Sequence, residues 1–176
     1  MKVIRNYLYN VGYQVLAIIV PLITSAYVSR VLRPEGVGAN AFTNSIIQYF
    51  ILFASMGIGY YGNRQIAYVR DNRTKMAKTF WEIQIVKTIM TLVSIIAFEI
   101  FLIFYTRQFD YMLAQSLNLI AVAFDISWFY EGIENFKVTV LKNSLVKIVS
   151  MIAIFLFIKG PYDVTLYIVV LALSTL

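Results

Sequence analysis

Read from its first residue, the chain alternates long apolar stretches with short polar ones. No charged residue stands between Arg5 and Arg30, and none between Glu35 and Arg64. A helix rises 1.5 Å per residue and needs about 20 mostly apolar residues to cross a hydrocarbon layer about 30 Å thick. Each stretch therefore holds one span, about 7–29 and 37–62. Further spans are predicted at about 80–105, which carries Glu82, Lys87 and Glu99, at 111–130, which carries Asp125, and at 143–158, which carries Lys147. Beyond Gly160-Pro161 a sixth begins near Val164 and is still apolar at Leu176. Residues 164–176 are too few to cross a bilayer and no stop signal follows them. The expectation is thus the front part of a longer protein, residues 1–176 forming an N-terminal transmembrane unit with Met1 as its start. The first apolar stretch is too long for a cleavable signal peptide and lacks a small-x-small cleavage site. The fold class is all-α: a polytopic membrane helix bundle with five complete spans and a partial sixth.

Composition agrees and narrows the chemistry. Of 176 residues 60% are hydrophobic and 14% charged, against about 45–50% and 25% in soluble domains, and the mean hydropathy is +0.74. With no Cys and no His, disulfides, thiolate or imidazole metal sites and His-based acid–base catalysis are excluded. No catalytic residue, cofactor or metal site is expected. The net charge of +6 sorts by loop. With the N-terminus inside, ten cations face the cytoplasm (Lys2, Arg5, Arg64, Arg70, Arg73, Lys75, Lys78, Lys137, Lys142 and Lys147). Four lie outside (Arg30, Arg33, Arg107 and Lys159), and Lys87 completes the fifteen from within a span. The positive-inside rule then orients the chain as a multi-pass protein with a cytoplasmic N-terminus, and the membrane expected for it is the plasma membrane. The basic loop 64–79 reads as a contact for anionic membrane lipids rather than nucleic acid. On that side the sequon Asn72-Arg73-Thr74 has no meaning.

Ionisable groups in hydrocarbon cost at least about 2.5–3.5 kcal/mol on insertion scales, so each should face protein or water. Lys87 and Asp125 stand at similar depth on antiparallel spans and are predicted to pair, with Lys147 as the competing partner. A structural lock is the plainer role for such a pair, transport the sharper one. Glu99 faces either a water-filled cavity or the outer arginines Arg30, Arg33 and Arg107. Spacings of three and four place Asn40, Asn44 and Gln48 on one face of the second span, and Gln14, Pro21 and Ser25 on one side of the first. Two polar faces suggest a shared aqueous cavity; interhelical hydrogen bonding is the competing explanation. Pro21 removes a backbone donor and marks a hinge. Gly57, Gly59 and Gly62 either loosen the second span or permit close packing. Most of Tyr7, Tyr9, Tyr13, Tyr60, Tyr61, Trp81, Tyr105, Tyr111, Trp128 and Tyr130 are expected in aromatic belts at headgroup level.

Three blocks carry a family resemblance. The first runs from Asn6, Tyr9, Asn10 and Gln14 through Pro21-Leu22-Ile23-Thr24 to Tyr27-Val28-Ser29-Arg30-Val31-Leu32, then Pro34-Glu35-Gly36 and Gly38. The second is Gly57-Ile58-Gly59-Tyr60-Tyr61-Gly62-Asn63-Arg64-Gln65-Ile66-Ala67. The third is Asp125-Ile126-Ser127-Trp128-Phe129-Tyr130-Glu131-Gly132-Ile133-Glu134, with Phe136-Lys137, Asn143 and Lys147 after it. In this order they resemble the polysaccharide (O-antigen and capsule) flippases of the multidrug/oligosaccharidyl-lipid/polysaccharide exporter superfamily. Arg33 departs from the pattern, standing where those proteins usually place Gly before a Pro-Glu-x-x-Gly turn, so the turn is expected to differ there.

The resemblance implies about one lobe of a two-lobed transporter that works by alternating access. It also implies a polyprenyl-pyrophosphate-linked oligosaccharide as substrate, polysaccharide-assembly proteins as partners, and cavity cations that engage the pyrophosphate. Arg30 matches the family block and is the first candidate for that contact, followed by Arg5 and Arg64, with Gln14, Asn40, Asn44 and Gln48 as polar lining. The alternatives are a cation-coupled multidrug exporter of the same superfamily, with Asp125 or Glu99 as its acid, or a truncated, non-transporting fragment. A membrane glycosyltransferase fits poorly, because Asp110 and Asp163 are isolated in short outer loops.

Overall fold

A computed structural model describes residues 2–105 and 107–175, with side chains at all of these except 2–10, 12, 13, 136 and 137. Among the described residues every regular element is an α-helix: α1 (Lys2–Val31), α2 (Arg33–Ser55), α3 (Ile58–Val69), α4 (Arg73–Phe104), α5 (Phe109–Phe124), α6 (Ser127–Gly132), α7 (Phe136–Phe157) and α8 (Val164–Leu173). Among the described residues five stretches are long and apolar enough to cross a membrane: Gln14–Val31, Arg33–Val69, Arg73–Phe104, Phe109–Gly132 and Val138–Phe157. The protein is a polytopic helical membrane bundle.

Local signals set the helix ends. Pro34 and Glu35 open α2, where a missing N–H costs nothing and a carboxylate meets the positive end of the helix. The Asn72 side chain caps α4 by accepting from the Lys75 N–H at 3.0 Å. Asp163 turns the chain into α8, its carboxylate accepting from the N–H groups of Lys159 and Gly160, both at 2.8 Å. Those two bonds favour the ionised form and hold the carboxyl below the usual carboxylate range. Helix α1 continues through Pro21, and Thr24 donates to the Val20 carbonyl at 2.9 Å.

The chain runs up and down. At one end of the bundle Val28, Leu32, Ala114, Ile154, Ile158, Val164 and Ile168 form one buried cluster. In the middle Ile47, Ala54, Phe98, Leu102, Met112 and Leu119 join α2, α4 and α5. Toward the other end Ile58, Ile66, Ile83 and Trp128 hold α3, α4 and α6 together, and Arg70 pairs with Glu134 at 2.5 Å. Helix α1 packs on α7, and α5 also packs on α8. Between membrane helices close packing, not apolar burial, supplies the attraction, and glycines permit it here. A Cβ at Gly62 would stand 2.5 Å from the Trp128 ring, one at Gly132 2.7 Å from Ile66, and one at Gly36 2.9 Å from Val164.

The structure adds detail to two of the spans and to one aromatic. The stretch expected as one span over 37–62 lies within Arg33–Val69, and its helix is interrupted after Ser55, where Met56 (φ +33°) and Gly57 (φ +74°) are left-handed. Of the three glycines there, only Gly57 takes a positive φ; Gly62 packs and Gly59 faces open space. The stretch expected over 111–130 is broken at Asp125, whose backbone is extended, before the short α6. Trp128 does not sit in a headgroup belt: it is 2% exposed, with Phe80 stacked on it at 5.5 Å between ring centres, because the missing side chain of Gly62 opens a slot for the indole.

Candidate functional site

The two breaks lie on either side of one cavity. Ending a helix leaves carbonyls without intrahelical donors, and at membrane depth water does not readily replace them. The unbroken α4 supplies the donors for α5. Gln84 Nε2 donates to the Ala123 carbonyl at 2.7 Å. One turn on, the Lys87 ammonium donates to the Asp125 carbonyl and stands 3.6 Å from Asp125 Oδ2. Asp125 Oδ1 accepts from the Ser127 N–H at 3.0 Å and its hydroxyl at 2.6 Å, which turns the chain into α6. The Lys87 side chain is 5% exposed and that of Asp125 46%. One charge is therefore sealed in the bundle while the other reaches its surface. The charge of Lys142 on α7 also acts on Asp125.

The cavity beside this pair has a volume of about 340 Å³ and is lined by Gln48, Ile51, Ser55, Ile58, Gly59, Lys87, Asn118, Ala121, Val122, Asp125 and Thr175. It adjoins two other hollows. One, of about 610 Å³, runs along α2 past Asn44, Ser45, Gln48, Tyr49 and Ser55. The other, of about 240 Å³, lies between α3 and α4 and is lined by Tyr61, Gln65, Thr79 and Glu82 among apolar groups. A crevice of about 440 Å³ between α7 and α8 differs in character, its lining from Leu145 to Ser174 being apolar except for Ser150 and Ser174.

A polar chain extends from the cavity into the bundle. Buried Gln115 donates to Asn40 Oδ1 at 3.3 Å and to Thr43 Oγ at 3.2 Å. Its own carbonyl oxygen accepts from Asn118 at 2.8 Å, and Asn118 accepts from Thr175 at 3.4 Å. Neutral groups sharing donors this way satisfy each other without a net charge in the membrane.

The residues singled out from sequence are distributed as follows. Lys87 and Asp125 meet, while Lys147 sits half-buried on α7. Asn40 faces Gln115, whereas Asn44 and Gln48 bond each other at 3.4 Å and line the open hollow on α2. Gln14, Pro21 and Ser25 are exposed on α1 and line none of these cavities, because α1 packs on α7 rather than around α2. Arg30 is exposed at one end of the bundle; Arg64 is exposed toward the other, its guanidinium 5.9 Å from the Tyr68 ring centre. The Arg5 side chain lies outside the described residues. Glu99 is exposed on α4 without pairing to Arg30, Arg33 or Arg107. Sequence reasoning passed over Gln84, Gln115 and Asn118. The signal was available: Gln84 with Lys87, and Gln115 with Asn118, are polar pairs three apart inside apolar spans, which places each pair on one helix face.

Comparison with known proteins bears on the whole chain. Residues 3–176 match the family model described as "Polysaccharide biosynthesis protein". A protein of Escherichia coli (strain K12) named "Putative O-antigen transporter" is 24% identical over 165 residues, covering 92% of this chain and 40% of its own length. A Shigella dysenteriae protein of the same name is 22% identical over 147 residues, covering 82% and 37%. The chain thus spans about two fifths of the length of these curated relatives. No solved structure matches it.

Proposed function

The chain belongs to the polysaccharide biosynthesis protein family, and on that premise we propose that it is one lobe of a flippase. The full protein carries a polyprenyl-pyrophosphate-linked oligosaccharide across the cytoplasmic membrane by alternating access. The observation that supports this reading best is the row Asn44, Ser45, Gln48 and Ser55 along an open hollow of α2, within a stretch apolar enough to span. Amides and hydroxyls turned to hydrocarbon would cost free energy, so this face works against water or a polar cargo. A pyrophosphate and a hydrated glycan need such a path, because unaided passage through hydrocarbon is prohibitive.

In this reading Arg30 and Arg64, exposed toward opposite ends of the bundle, meet the pyrophosphate at the two limits of its passage, and Arg5 joins Arg64. Pro21 is the bending point of α1, and the Lys87–Asp125 pair locks the bundle while the lobes move. The ends bearing Arg5, Arg64 and Arg70 face the cytoplasm, where the excess of Lys and Arg belongs and where anionic lipids meet the α3–α4 loop. Polysaccharide-assembly proteins supply the cargo and remove it.

The test is the full-length gene in its host. Its deletion should stop lipid-linked glycan from reaching the outer leaflet, and wild-type complementation should restore it. Arg30→Ala should lower export by about tenfold or more, the worth of one hydrogen bond to a charged group at roughly 1.5–3 kcal/mol, with membrane insertion unchanged. Normal surface glycan in the deletion strain would overturn the reading.

A further inference from the structure

We infer that the crevice between α3 and α4, of about 240 Å³, seats the headgroup of one phospholipid that carries a primary ammonium, as phosphatidylethanolamine does. Its walls are graded. Helix α4 returns alongside α3 after a short turn, so Gln65 and Thr79 lie toward the α3–α4 loop, Tyr61 and Glu82 about one helical turn farther in, and Ile58 and Val86 farthest in. Polarity therefore falls from the loop inward, the order in which a leaflet stacks headgroup, glycerol and acyl chain. The level fits as well: Tyr60, Tyr61 and Trp81 are exposed beside the crevice, as at a headgroup boundary, and Arg73, Lys75 and Lys78 follow on the loop side. Every lining residue comes from α3 or α4.

The polar lining is not spent within the protein. Among the described residues the side chains of Tyr61, Gln65 and Thr79 make no hydrogen bond. Glu82, the one carboxylate lining the crevice among the described residues, meets Lys78 at 3.8 Å, with both side chains largely exposed. An exposed pair one turn apart at that distance is weak, so the carboxylate remains open to a better partner. A single carboxylate among neutral groups is a poor seat for a divalent metal, which takes six or more oxygen ligands. An ammonium with three N–H donors suits it, and the hydroxyls of Tyr61 and Thr79 and the amide of Gln65 can donate to the phosphate that two carbons join to that ammonium. A choline headgroup has no N–H to give. A soluble amine would leave the apolar inner end at Ile58 and Val86 unused. The occupant is thus a neutral lipid of the surrounding leaflet, distinct from the anionic lipids at the α3–α4 loop and from the anionic cargo, and it would bridge α3 to α4 beside the break at Met56 and Gly57.

The full-length protein, stripped of lipid in a mild detergent, is titrated with dioleoyl phosphatidylethanolamine or dioleoyl phosphatidylcholine, and bound lipids are counted by native mass spectrometry. The first ethanolamine lipid should bind about tenfold more tightly than the first choline lipid, the scale of one hydrogen bond between charged groups. Glu82→Gln should bring the two affinities within about twofold. Thr79→Leu, which fills the crevice without touching the carboxylate, should likewise remove the preference, so the test does not depend on one variant folding. Lys78→Gln, which takes away the competing ammonium, should preserve or strengthen it. Glycerophosphoethanolamine, the same headgroup without acyl chains, should not displace the bound lipid at equal concentration.

Equal binding of the two lipids by the wild-type protein, a preference that survives Glu82→Gln or Thr79→Leu, a preference lost in Lys78→Gln, or displacement by the chain-free headgroup overturns the site. None of these outcomes is read from glycan export, so the flippase reading stands or falls separately.

Discussion

At Arg33 the chain holds a long side chain in a left-handed backbone conformation, φ +61°, which costs a non-glycine residue about 1 kcal/mol. The α1–α2 corner is still made, with Leu32 beneath it 1% exposed, so the buried contacts outweigh the local strain. Arg33→Gly should therefore raise stability by about 0.5–1 kcal/mol, read as a higher unfolding midpoint of the purified protein in detergent; an unchanged or lower midpoint would contradict the strain. Lys87 is the opposite case, a costly residue whose environment has been built for it. Removing it strands the Asp125 carbonyl and carboxylate. Lys87→Met is expected to cost about 2–4 kcal/mol, less than a fully enclosed pair because Asp125 is half-exposed. In a double-mutant cycle with Asp125→Asn, the combined loss should fall clearly short of the sum. Additive losses would show that the two charges act separately.

The helical elements owe their joints to a few glycines and one aspartate. Gly62→Ala pushes a methyl into the Trp128 ring and Gly132→Ala one into Ile66. Each should destabilise by about 1–3 kcal/mol, whereas Gly38→Ala and Gly59→Ala, with nothing within 4 Å, should be neutral or gain up to about 1 kcal/mol in helix propensity. Thermal unfolding of the four variants checks the contrast, and Trp128→Phe should recover part of the Gly62→Ala loss. The positions of the apolar elements were legible because crossing hydrocarbon imposes length and apolarity. The break at Asp125 was harder to read: Asp125-Ile126-Ser127 contains neither Gly nor Pro, and the hint was the ability of an Asp side chain to bond the backbone two residues on. The break at Met56 and Gly57 was half legible, since three glycines pointed to the region but only contacts with Trp128 and open space tell their roles apart.

In the whole molecule, the charges at membrane depth were the most readable part of the candidate site. Their cost in hydrocarbon demands partners, and helix depth alone brought Lys87 to Asp125. The grouping of polar faces was not readable, because periodicity says which residues share a face and nothing about which helix that face meets. Gln14 and Ser25 therefore stand apart from the cavities, while Gln115 and Asn118, unremarked in the sequence, connect α2 to the end of α8. The unbroken helix α4 lends its side chains to carbonyls that α5 cannot satisfy by itself. This makes inheritance of the site joint rather than local. A graft that brings the α5–α6 joint from a distant relative while leaving α4 behind imports a wound without its dressing, so α4 and the α5–α6 joint form the smallest portable unit of this architecture.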